Sequence, residues 1–246
     1  MKVRLLQTDI LWADVEQNIE NAQRMIDEGE ASDLYVLPEM WSTGFATMPA
    51  GIAEDEQSSL ALQWMKQVAS ARGCAICGSL AVRVGDCYRN RHYFITPEAT
   101  TCYDKRHLFA YGHENLHYTR GEKAVIAQWK GFRCLLQTCY DLRFPVFSRY
   151  GRAGEYDAII YVANWPASRM SAWQILTQAR AIENQAYVIA VNRCGNDPQT
   201  NYVGDSRIID PVGRIMARIP NTDTGVLDLS VLQQMRQRFR VLDDRD

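Results

Sequence analysis

The sequence lacks both an excess of charge of one sign and a long apolar run. Its 246 residues include 27 lysines and arginines and 29 aspartates and glutamates, which give a formal net charge of −2. Nucleic acids and anionic membranes attract clustered positive charge, so neither is expected as a partner. No apolar stretch is long enough to span a bilayer. The first residues lead directly into a strand-like run without a signal peptide, and we therefore expect a cytoplasmic protein.

The cysteines lack the pattern of a disulfide framework or of a metal site. There are seven, an odd number, spread through apolar segments, which favours free thiols in a reducing compartment. Cys74 and Cys77 form a C-x-x-C pair, but the residues from 75 to 82 are typical of a strand, on which residues three apart point to opposite faces. No second pair completes a zinc site, so we expect two buried side chains, no metal and no cofactor.

The chain also lacks internal repeats, low-complexity segments and linkers, which predicts a single domain over residues 1–246. Apolar residues make up 47% of the sequence, which is enough for a sizeable core. The C-terminal residues are typical of a solvated tail, in which arginines precede aspartates: Arg236, Arg238, Arg240, Asp243, Asp244 and Asp246.

Helical and strand-like patterns alternate along the chain, which predicts an α/β layer fold. Asp14 is the expected N-cap of the first helix, and turn residues at 203–206 and 210–213 indicate a hairpin. The predicted helices are 14–26, 58–72, 147–154 and 172–186. The last is expected to turn these residues inward: Ile175, Leu176, Ala179, Ile182 and Ala186. The predicted strands are 3–7, 33–37, 74–84, 88–95, 101–104, 134–138, 156–163, 187–192 and 225–229.

The segment from 110 to 121 is polar and aromatic and has no clear period. Long aperiodic segments in a compact domain are often functional loops. His113 and His117 lie within it, and we interpret them as polar loop residues because the sequence offers no further ligands for a metal.

An apolar run that begins at Cys134 breaks at Cys139 into polar residues and ends at Pro145. This pattern predicts a buried strand that stops on a thiol, and strand ends are where clefts open in α/β sheets. A single free cysteine is often a buried structural residue. Taken alone, this stretch fits a catalytic nucleophile and a core cysteine equally well.

Three further predicted strands end next to candidate functional residues, at Glu39, at Lys105 and at Asn164 with Trp165. Strand ends at one edge of an α/β sheet converge on one cleft. A thiol, a carboxylate and an ammonium that meet there can cleave an amide. The thiol attacks the carbonyl, the carboxylate transfers protons, and the ammonium stabilises the oxyanion. The alternatives are a helix-capping or solvated carboxylate at Glu39 and surface charge at Lys105.

Five motifs, in this order, resemble those of the nitrilase superfamily of carbon–nitrogen hydrolases. They lie at 37–40, 103–109, 139–145, 178–185 and 204–213. Together they span nearly the whole chain at the spacing typical of the superfamily, and five in sequence are very specific. The resemblance implies a four-layer α-β-β-α sandwich and a homodimer that pairs at the helices flanking the sheets.

Within the superfamily the chain is most similar to the omega-amidases, through residues 41–45, 142–145 and 163–166. Omega-amidases hydrolyse the terminal amide of 2-oxoglutaramate and 2-oxosuccinamate to ammonia and the 2-oxo diacid. The resemblance therefore implies a small amide as substrate and a cysteine thioester as intermediate. The alternatives are an amidase acting on N-carbamoyl amino acids or aliphatic amides, a true nitrilase, and a catalytically silent interaction subunit.

The resemblance also implies a role for each matching residue. Cys139 corresponds to the nucleophile, Glu39 to the general base and acid, and Lys105 to the residue that stabilises the oxyanion. The backbone N–H of Tyr140 would complete the oxyanion hole. Glu114 matches a second glutamate that supports the lysine and the substrate.

Three side chains are expected to bind substrate together with Tyr140. Arg143 either pairs with Asp141 or binds the carboxylate of the substrate, and we favour the second because a guanidinium matches a carboxylate in bidentate geometry. Trp165 and Phe45 both follow strand ends, and each fits the core and the pocket equally well.

Overall fold

Two mixed β-sheets lie face to face and enclose the larger of the apolar cores. The computed structural model describes residues 1–244. Side chains of both sheets meet in this core, among them Val36 and Phe94 from the first sheet and Leu136 and Ile160 from the second. Helices cover the outer face of each sheet, as described below. The four-layer α-β-β-α sandwich implied by the resemblance is therefore confirmed.

Strands and helices alternate along the chain. The strands are β1 Lys2–Leu5, β2 Leu34–Val36, β3 Glu54–Asp55, β4 Ala75–Val84, β5 Cys87–Ile95, β6 Thr100–Asp104, β7 Ile126–Trp129, β8 Phe132–Thr138, β9 Ala158–Ala163, β10 Tyr187–Asn192, β11 Cys194–Asn196, β12 Asn201–Val203, β13 Arg207–Ile209, β14 Ile215–Arg218 and β15 Thr224–Val226. The helices are α1 Val15–Glu28, α2 Leu60–Arg72, α3 Glu114–His117, α4 Pro145–Ser148, α5 Met170–Asn184 and α6 Leu229–Arg238. The structure thus adds elements that the sequence did not predict, among them β3, β7, α3 and α6. Across residues 1–244, no helix is both long enough and apolar enough to cross a membrane.

The topology brings the carboxyl ends of several strands to one edge. Within residues 1–244 the first sheet has the order β15-β1-β2-β4-β5-β6, with β3 beside β4, and the second has the order β14-β13-β10-β9-β8-β7. Strands β2 and β4 are parallel, and so are β8, β9 and β10. Since β5 is antiparallel to both β4 and β6, strand β6 ends at the same edge as β2.

The outer layers are built from the amphipathic helices. Leu62 and Met65 of α2 pack on Ile76 of the first sheet, together with residues of α1. The N-cap expected for α1 is confirmed, because the side chain of Asp14 accepts a hydrogen bond from the N–H of Gln17. On the other side of the sandwich, α5 packs on the second sheet through side chains such as Trp173 and Ala181.

Cys74 and Cys77 point to opposite faces of the first sheet, as the strand pattern predicts. Cys77 lies in the core between the sheets, and Cys74 lies in the core beneath α1 and α2. Burial raises the pKa of Cys74 to about 11 and that of Cys77 well above its ordinary value. All seven cysteines fall within the described part of the chain and are free thiols.

The inward face predicted for α5 is wrong at two positions. Ile175 and Ile182 are 66% and 53% exposed. The helix instead buries polar residues whose side chains find partners: Arg180 donates to the carbonyl oxygen of Leu142 at 2.7 Å, for example. Apolar spacing does not reveal which side of a helix faces the sheet when polar side chains on that side are satisfied. The buried residues of α5 are Trp173, Thr177, Arg180, Ala181 and Asn184.

The helix predicted at 147–154 is also wrong. The chain forms a single helical turn, α4, and then a loop. Pro145 occupies the first turn of α4, where no N–H is needed for an intrahelical bond. Gly151 and Gly154 have φ angles of 88° and 103°, a left-handed conformation that a continuing helix does not allow.

The solvated tail predicted at the C-terminus is only partly right. Residues 229–238 form α6, which begins after the N-cap Asp228. Arg236 is held against the body of the protein, since its guanidinium donates to the carbonyl oxygens of Tyr156 at 2.9 Å and Gln185 at 3.0 Å. The remaining tail residues are exposed up to residue 244: Arg238, Arg240, Asp243 and Asp244. Asp246 lies outside the described residues.

Candidate active site

Four strand ends meet where the sequence predicts a cleft. Glu39 follows β2, Lys105 follows β6, Cys139 follows β8 and Asn164 follows β9. The carboxylate of Glu39 accepts hydrogen bonds from Lys105 Nζ at 2.8 Å and from the backbone N–H of Asn164 at 2.9 Å. The carboxylate of Glu39 lies close enough to the Cys139 thiol to raise its pKa, and Sγ of Cys139 lies 3.9 Å from the carbonyl oxygen of Asn164. The fold therefore brings the predicted carboxylate, ammonium and thiol together.

The backbone at Cys139 turns sharply from strand to helix. Its φ angle is 44°, a left-handed conformation that a residue with a side chain adopts only when its surroundings hold it there. A 3₁₀ helix, Cys139–Arg143, begins at this residue. Asp141 stabilises the turn, because its carboxylate accepts from the N–H of Thr138 at 2.9 Å and from the hydroxyl of Tyr103 at 2.7 Å. The turn places Sγ in the wall of a pocket.

The surroundings of Cys139 keep its thiol protonated. Burial raises its pKa well above the ordinary value, the nearby carboxylate of Glu39 raises it further, and Lys105 opposes this change. The thiolate is the nucleophilic form of cysteine. Cys139 therefore needs a base in contact with it to react at neutral pH, and Glu39 occupies that position.

Lys105 lies between two carboxylates. Its Nζ is 2.8 Å from Glu39 and 2.8 Å from Glu114, and all three side chains are fully buried. Burial alone would lower the pKa of Lys105, but Glu114 and Glu39 more than offset this and raise it. Burial raises the pKa of Glu114, although Lys105 opposes the change. An ammonium has three N–H groups, so two can serve the carboxylates while the third remains for a substrate oxygen.

The four side chains predicted to bind substrate all line one pocket. It has a volume of about 950 Å³, and its lining includes Phe45, Cys139, Tyr140, Arg143 and Trp165. Both aromatic residues that followed strand ends border the pocket, but Trp165 is also buried in the core beneath α5. Phe45 lies close to the charged cluster, with its ring centroid 5.2 Å from Nζ of the lysine.

Arg143 does not pair with Asp141. The carboxylate of Asp141 is occupied by Thr138 and Tyr103, as described above, and by the ring of His107, whose Nδ1 lies 2.8 Å away. The guanidinium of Arg143 instead lies over the indole of Trp165, 5.0 Å from the ring centroid. This leaves the guanidinium available to a ligand in the pocket.

A second arginine in this pocket was not predicted from the sequence. Arg169 lies over the ring of Phe109, with its guanidinium carbon 5.2 Å from the ring centroid. Within residues 1–244, the guanidinium groups of Arg143 and Arg169 have no ion-pair or hydrogen-bond partner. The available sequence signal was the position of Arg169, a few residues after the strand that ends at Asn164.

Asn90 was also missed. It lies on β5 and its Nδ2 donates to both Glu39 and Glu114, at 2.8 Å and 2.9 Å. The sequence signal was a polar amide in the interior of a predicted strand, a position that requires buried partners.

The two loop histidines line the same pocket. His113 and His117 border it from the segment that contains α3. Among the residues from 1 to 244, no group of three or more histidine, cysteine, aspartate or glutamate side chains is placed to hold a metal ion.

Comparison with known proteins identifies the family. A family model described as carbon-nitrogen hydrolase matches residues 2–240. The omega-amidase YafV of Yersinia enterocolitica is 40% identical over 252 residues, which cover 100% of this chain and 97% of the relative. The 2-oxoglutaramate amidase of Bacillus subtilis is 33% identical over 250 residues, which cover 98% of this chain and 96% of the relative. This chain therefore belongs to the carbon–nitrogen hydrolase family.

A solved structure extends this likeness to the fold. XC1258 from Xanthomonas campestris is described as a CN-hydrolase superfamily protein with an arsenic adduct in the active site. It matches with a TM-score of 0.94 and 38% identity, covering 100% of this chain and 97% of that one. The superfamily expected from the five sequence motifs is confirmed.

Proposed function

We propose that this protein is a thiol amidase that hydrolyses the terminal amide of 2-oxo acid amides, such as 2-oxoglutaramate and 2-oxosuccinamate. The products are ammonia and the 2-oxo diacid. One observation carries the proposal: Cys139 lines a pocket and lies near Glu39, which shares the buried ammonium of Lys105 with Glu114. The names of the relatives, omega-amidase and 2-oxoglutaramate amidase, support the substrate class.

In the first half-reaction Glu39 takes the proton of the Cys139 thiol as Sγ attacks the amide carbon. The carbonyl oxygen becomes an oxyanion, which the third N–H of Lys105 stabilises. The backbone N–H of Tyr140 adds a second donor, since the first N–H groups of a helix have no intrahelical partner. Glu39 then gives its proton to the leaving nitrogen, the C–N bond breaks, and ammonia departs from a thioester.

In the second half-reaction water replaces the amide nitrogen. Glu39, ionised again, takes a proton from the attacking water, and the same donors stabilise the second oxyanion. The C–S bond breaks, the proton on Glu39 returns to Cys139, and the new carboxylic acid leaves and gives its proton to solvent. Glu114 keeps Lys105 charged and in place throughout, through contacts of 2.8 Å and 3.2 Å to Nζ.

Arg143 and Arg169 support an anionic substrate. Both guanidiniums border the pocket that contains Cys139, and each rests on an aromatic ring that leaves its N–H edge free. A guanidinium binds a carboxylate through paired, charge-assisted hydrogen bonds. We assign the carboxylate at the 2-oxo end to Arg143 and Arg169, and the amide end to Cys139.

The test is the rate of ammonia release from 2-oxoglutaramate, with N-carbamoyl amino acids and simple aliphatic amides assayed alongside. A strong preference for the 2-oxo acid amide is expected. Preference for another amide would contradict the proposed substrate class but would still be consistent with the cysteine amidase mechanism. Ammonia release by Cys139→Ala, with Cys134→Ala as the matched buried control, would contradict the mechanism. If no ammonia is released from any of these amides, the alternative of a catalytically silent subunit is favoured.

We also propose that the protein forms a homodimer through the outer face of α5. The side chains of Ile175 and Ile182 are exposed there, and Ile182 lies against Gly213 in the turn between β13 and β14. Val212 and Ile215 extend this apolar surface, being 49% and 42% exposed. Sedimentation of the native protein and of Ile182→Glu tests the proposal, and a monomeric native protein would contradict it.

Two further proposals concern the whole chain. We propose that residues 1–246 form one domain, which is supported by the family match over 2–240. We also propose a cytoplasmic location, which is supported by seven free thiols, since reducing compartments keep thiols unpaired. Limited proteolysis tests the first proposal, and fractionation of the native cells tests the second.

A further inference from the structure

Asn90 contacts every member of the charged cluster, and the roles assigned above do not use it. Its side chain is almost fully buried, and Nδ2 donates to Oε1 of Glu39 at 2.8 Å and to Oε1 of Glu114 at 2.9 Å. Its backbone carbonyl oxygen accepts from the N–H of Lys105 at 3.0 Å. A single residue of β5 therefore holds both carboxylates and the backbone of the lysine between them.

Ser79 determines which way the amide of Asn90 points. The Ser79 hydroxyl oxygen accepts from the N–H of Met40 at 2.9 Å, so its own proton is free to be donated. It lies 2.8 Å from Oδ1 of Asn90, which is the matching acceptor. Because Oδ1 is held by Ser79, both protons of Nδ2 face the carboxylates. The Ser79 hydroxyl therefore acts on the cluster through Asn90 and also through the backbone N–H of Met40, next to Glu39.

The charges of the cluster show why a neutral donor is needed. Two buried carboxylates share one ammonium, which leaves one negative charge without a cationic partner. A buried carboxylate is stable in its ionised form only when hydrogen-bond donors replace the lost water. Asn90 supplies one N–H to each carboxylate and adds no charge. An acidic side chain of the same shape would supply acceptors instead.

We propose that Asn90, oriented by Ser79, is a positioning residue that keeps Glu39 and Glu114 ionised and aligned around Lys105. This inference rests on the proposed function in one respect, since it assumes that Glu39 accepts the proton of Cys139. The titratable groups around Asn90 are Glu39, Lys105, Glu114, Tyr118 and Cys139 on neighbouring elements, and Tyr88 and His92 on β5 itself.

The direction of the pH effect follows from the removal of donors. Without the two N–H groups of Asn90, the buried cluster loses donors that stabilise its ionised carboxylates, so it binds a proton at a higher pH. Lys105 and Tyr118 stay protonated over the acidic range, because the pKa of each is raised. His92 stays neutral, since burial lowers its pKa to about 3. The acidic limb of the activity profile therefore reports the carboxylates.

Asn90→Asp is the sharpest variant, because it keeps the shape and the acceptor for Ser79 but replaces the two donors with an acidic oxygen. Two charge-assisted hydrogen bonds are lost, so kcat is expected to fall by about 10- to 100-fold or more at neutral pH. The acidic limb of kcat/KM is expected to move upward by about one pH unit or more. Asn184→Asp is the matched control, a buried asparagine of α5 whose Nδ2 donates to the carbonyl oxygen of Arg180.

A second readout does not require any amide substrate. The rate at which iodoacetamide alkylates Cys139, followed by mass spectrometry against pH, reports how readily Glu39 removes the thiol proton. In Asn90→Asp this rate is expected to fall and its pH dependence to shift upward with the acidic limb. A wrong substrate assignment would leave this alkylation result unchanged, so the two failures are distinguishable.

Ser79→Ala extends the test if the aspartate variant does not fold. It leaves Asn90 in place, frees its amide to rotate and removes the acceptor for the N–H of Met40, so a smaller shift in the same direction is expected. The inference is overturned if folded Asn90 and Ser79 variants keep the wild-type pH profile and alkylation rate. It is overturned equally if Asn184→Asp shifts both readouts as far as Asn90→Asp does.

Discussion

Glu39 and Glu114 approach Lys105 equally closely, each with a carboxylate oxygen 2.8 Å from Nζ. Both also accept a hydrogen bond from Asn90, but their other contacts differ. Glu39 lies near the thiol of Cys139 and accepts from the backbone of Asn164, whereas Glu114 accepts from the N–H of Phe109 at 2.6 Å. The ammonium of Lys105 thus lies between the carboxylate of Glu39, which is near the thiol, and the carboxylate of Glu114, which is bound to the backbone of Phe109. This asymmetry predicts different consequences when either is neutralised.

Glu39→Gln removes the group that accepts the thiol proton while keeping the size of the side chain. We expect kcat to fall by about 10²- to 10⁴-fold, the usual contribution of a general base. Glu114→Gln keeps the base and is expected to reduce kcat less, with a smaller effect on the alkylation rate of Cys139. If both variants lose the same fraction of the alkylation rate, Glu39 is not the only carboxylate that accepts the thiol proton, and the division of roles is contradicted.

Lys105→Met leaves two buried carboxylates without their cation. Breaking a buried ion pair by removing one partner is strongly destabilising, and we expect a loss of about 3–5 kcal/mol in the free energy of unfolding. Lys130→Met is the matched control: Lys130 is half exposed and its partner Asp33 partly exposed, and such a surface pair contributes only about 0–1 kcal/mol. Urea unfolding at pH 7 measures both variants. Similar losses of unfolding free energy in the two variants would contradict a buried, mutually stabilising cluster of Lys105, Glu39 and Glu114.

Arg143→Met and Arg169→Met are expected to raise KM for 2-oxoglutaramate by about 10- to 100-fold each, through lost charge-assisted hydrogen bonds. Hydrolysis of a neutral aliphatic amide is expected to change much less, because that substrate offers no carboxylate to bind. Arg24→Met, on the outer surface of α1, serves as the control for loss of a positive charge. If KM rises equally for charged and neutral amides, the two arginines stabilise the pocket by packing and do not bind the substrate carboxylate.

His92 provides a prediction about stability and pH. Its side chain is fully buried between the sheets, and burial lowers its pKa to about 3. The unfolded chain takes up a proton at about pH 6.5. Between these values the unfolded state binds more protons, so stability falls as the pH falls from 6.5 towards 3, by up to about 1.4 kcal/mol per pH unit from this group.

Replacing His92 with asparagine should therefore flatten the decrease in stability between pH 6.5 and 4.5, whatever it does to stability at pH 8. Urea unfolding at several pH values measures the slope. His117→Asn, at an exposed position, should retain the wild-type slope. A His92→Asn variant that loses stability with falling pH as steeply as the native protein would show that the buried imidazole becomes protonated without unfolding.

Local patterns in the sequence were sufficient for nine of the strands and for the motif residues, but they did not reveal β3, β7, β11 or β12. Strand β10 has the bounds predicted for it, and β8 ends at the residue before Cys139 as expected. Such predictions succeed because buried strands need continuous apolar runs, and polar residues next to their ends stand out. The same reasoning, joined to the family resemblance, selected Glu39, Lys105, Glu114 and Cys139, which the fold brings into one cluster.

What the sequence alone determined was therefore the class of fold, the order of its elements and the residues carrying reactive groups. The tertiary structure decided which polar groups meet: Asn90 with two carboxylates, Arg169 with the pocket, and Arg236 with backbone carbonyls rather than with solvent. It also decided that Ile175 and Ile182 face outward. The physical reason is that a hydrogen bond or an ion pair depends on distance between residues far apart in the chain, and no local periodicity records that distance.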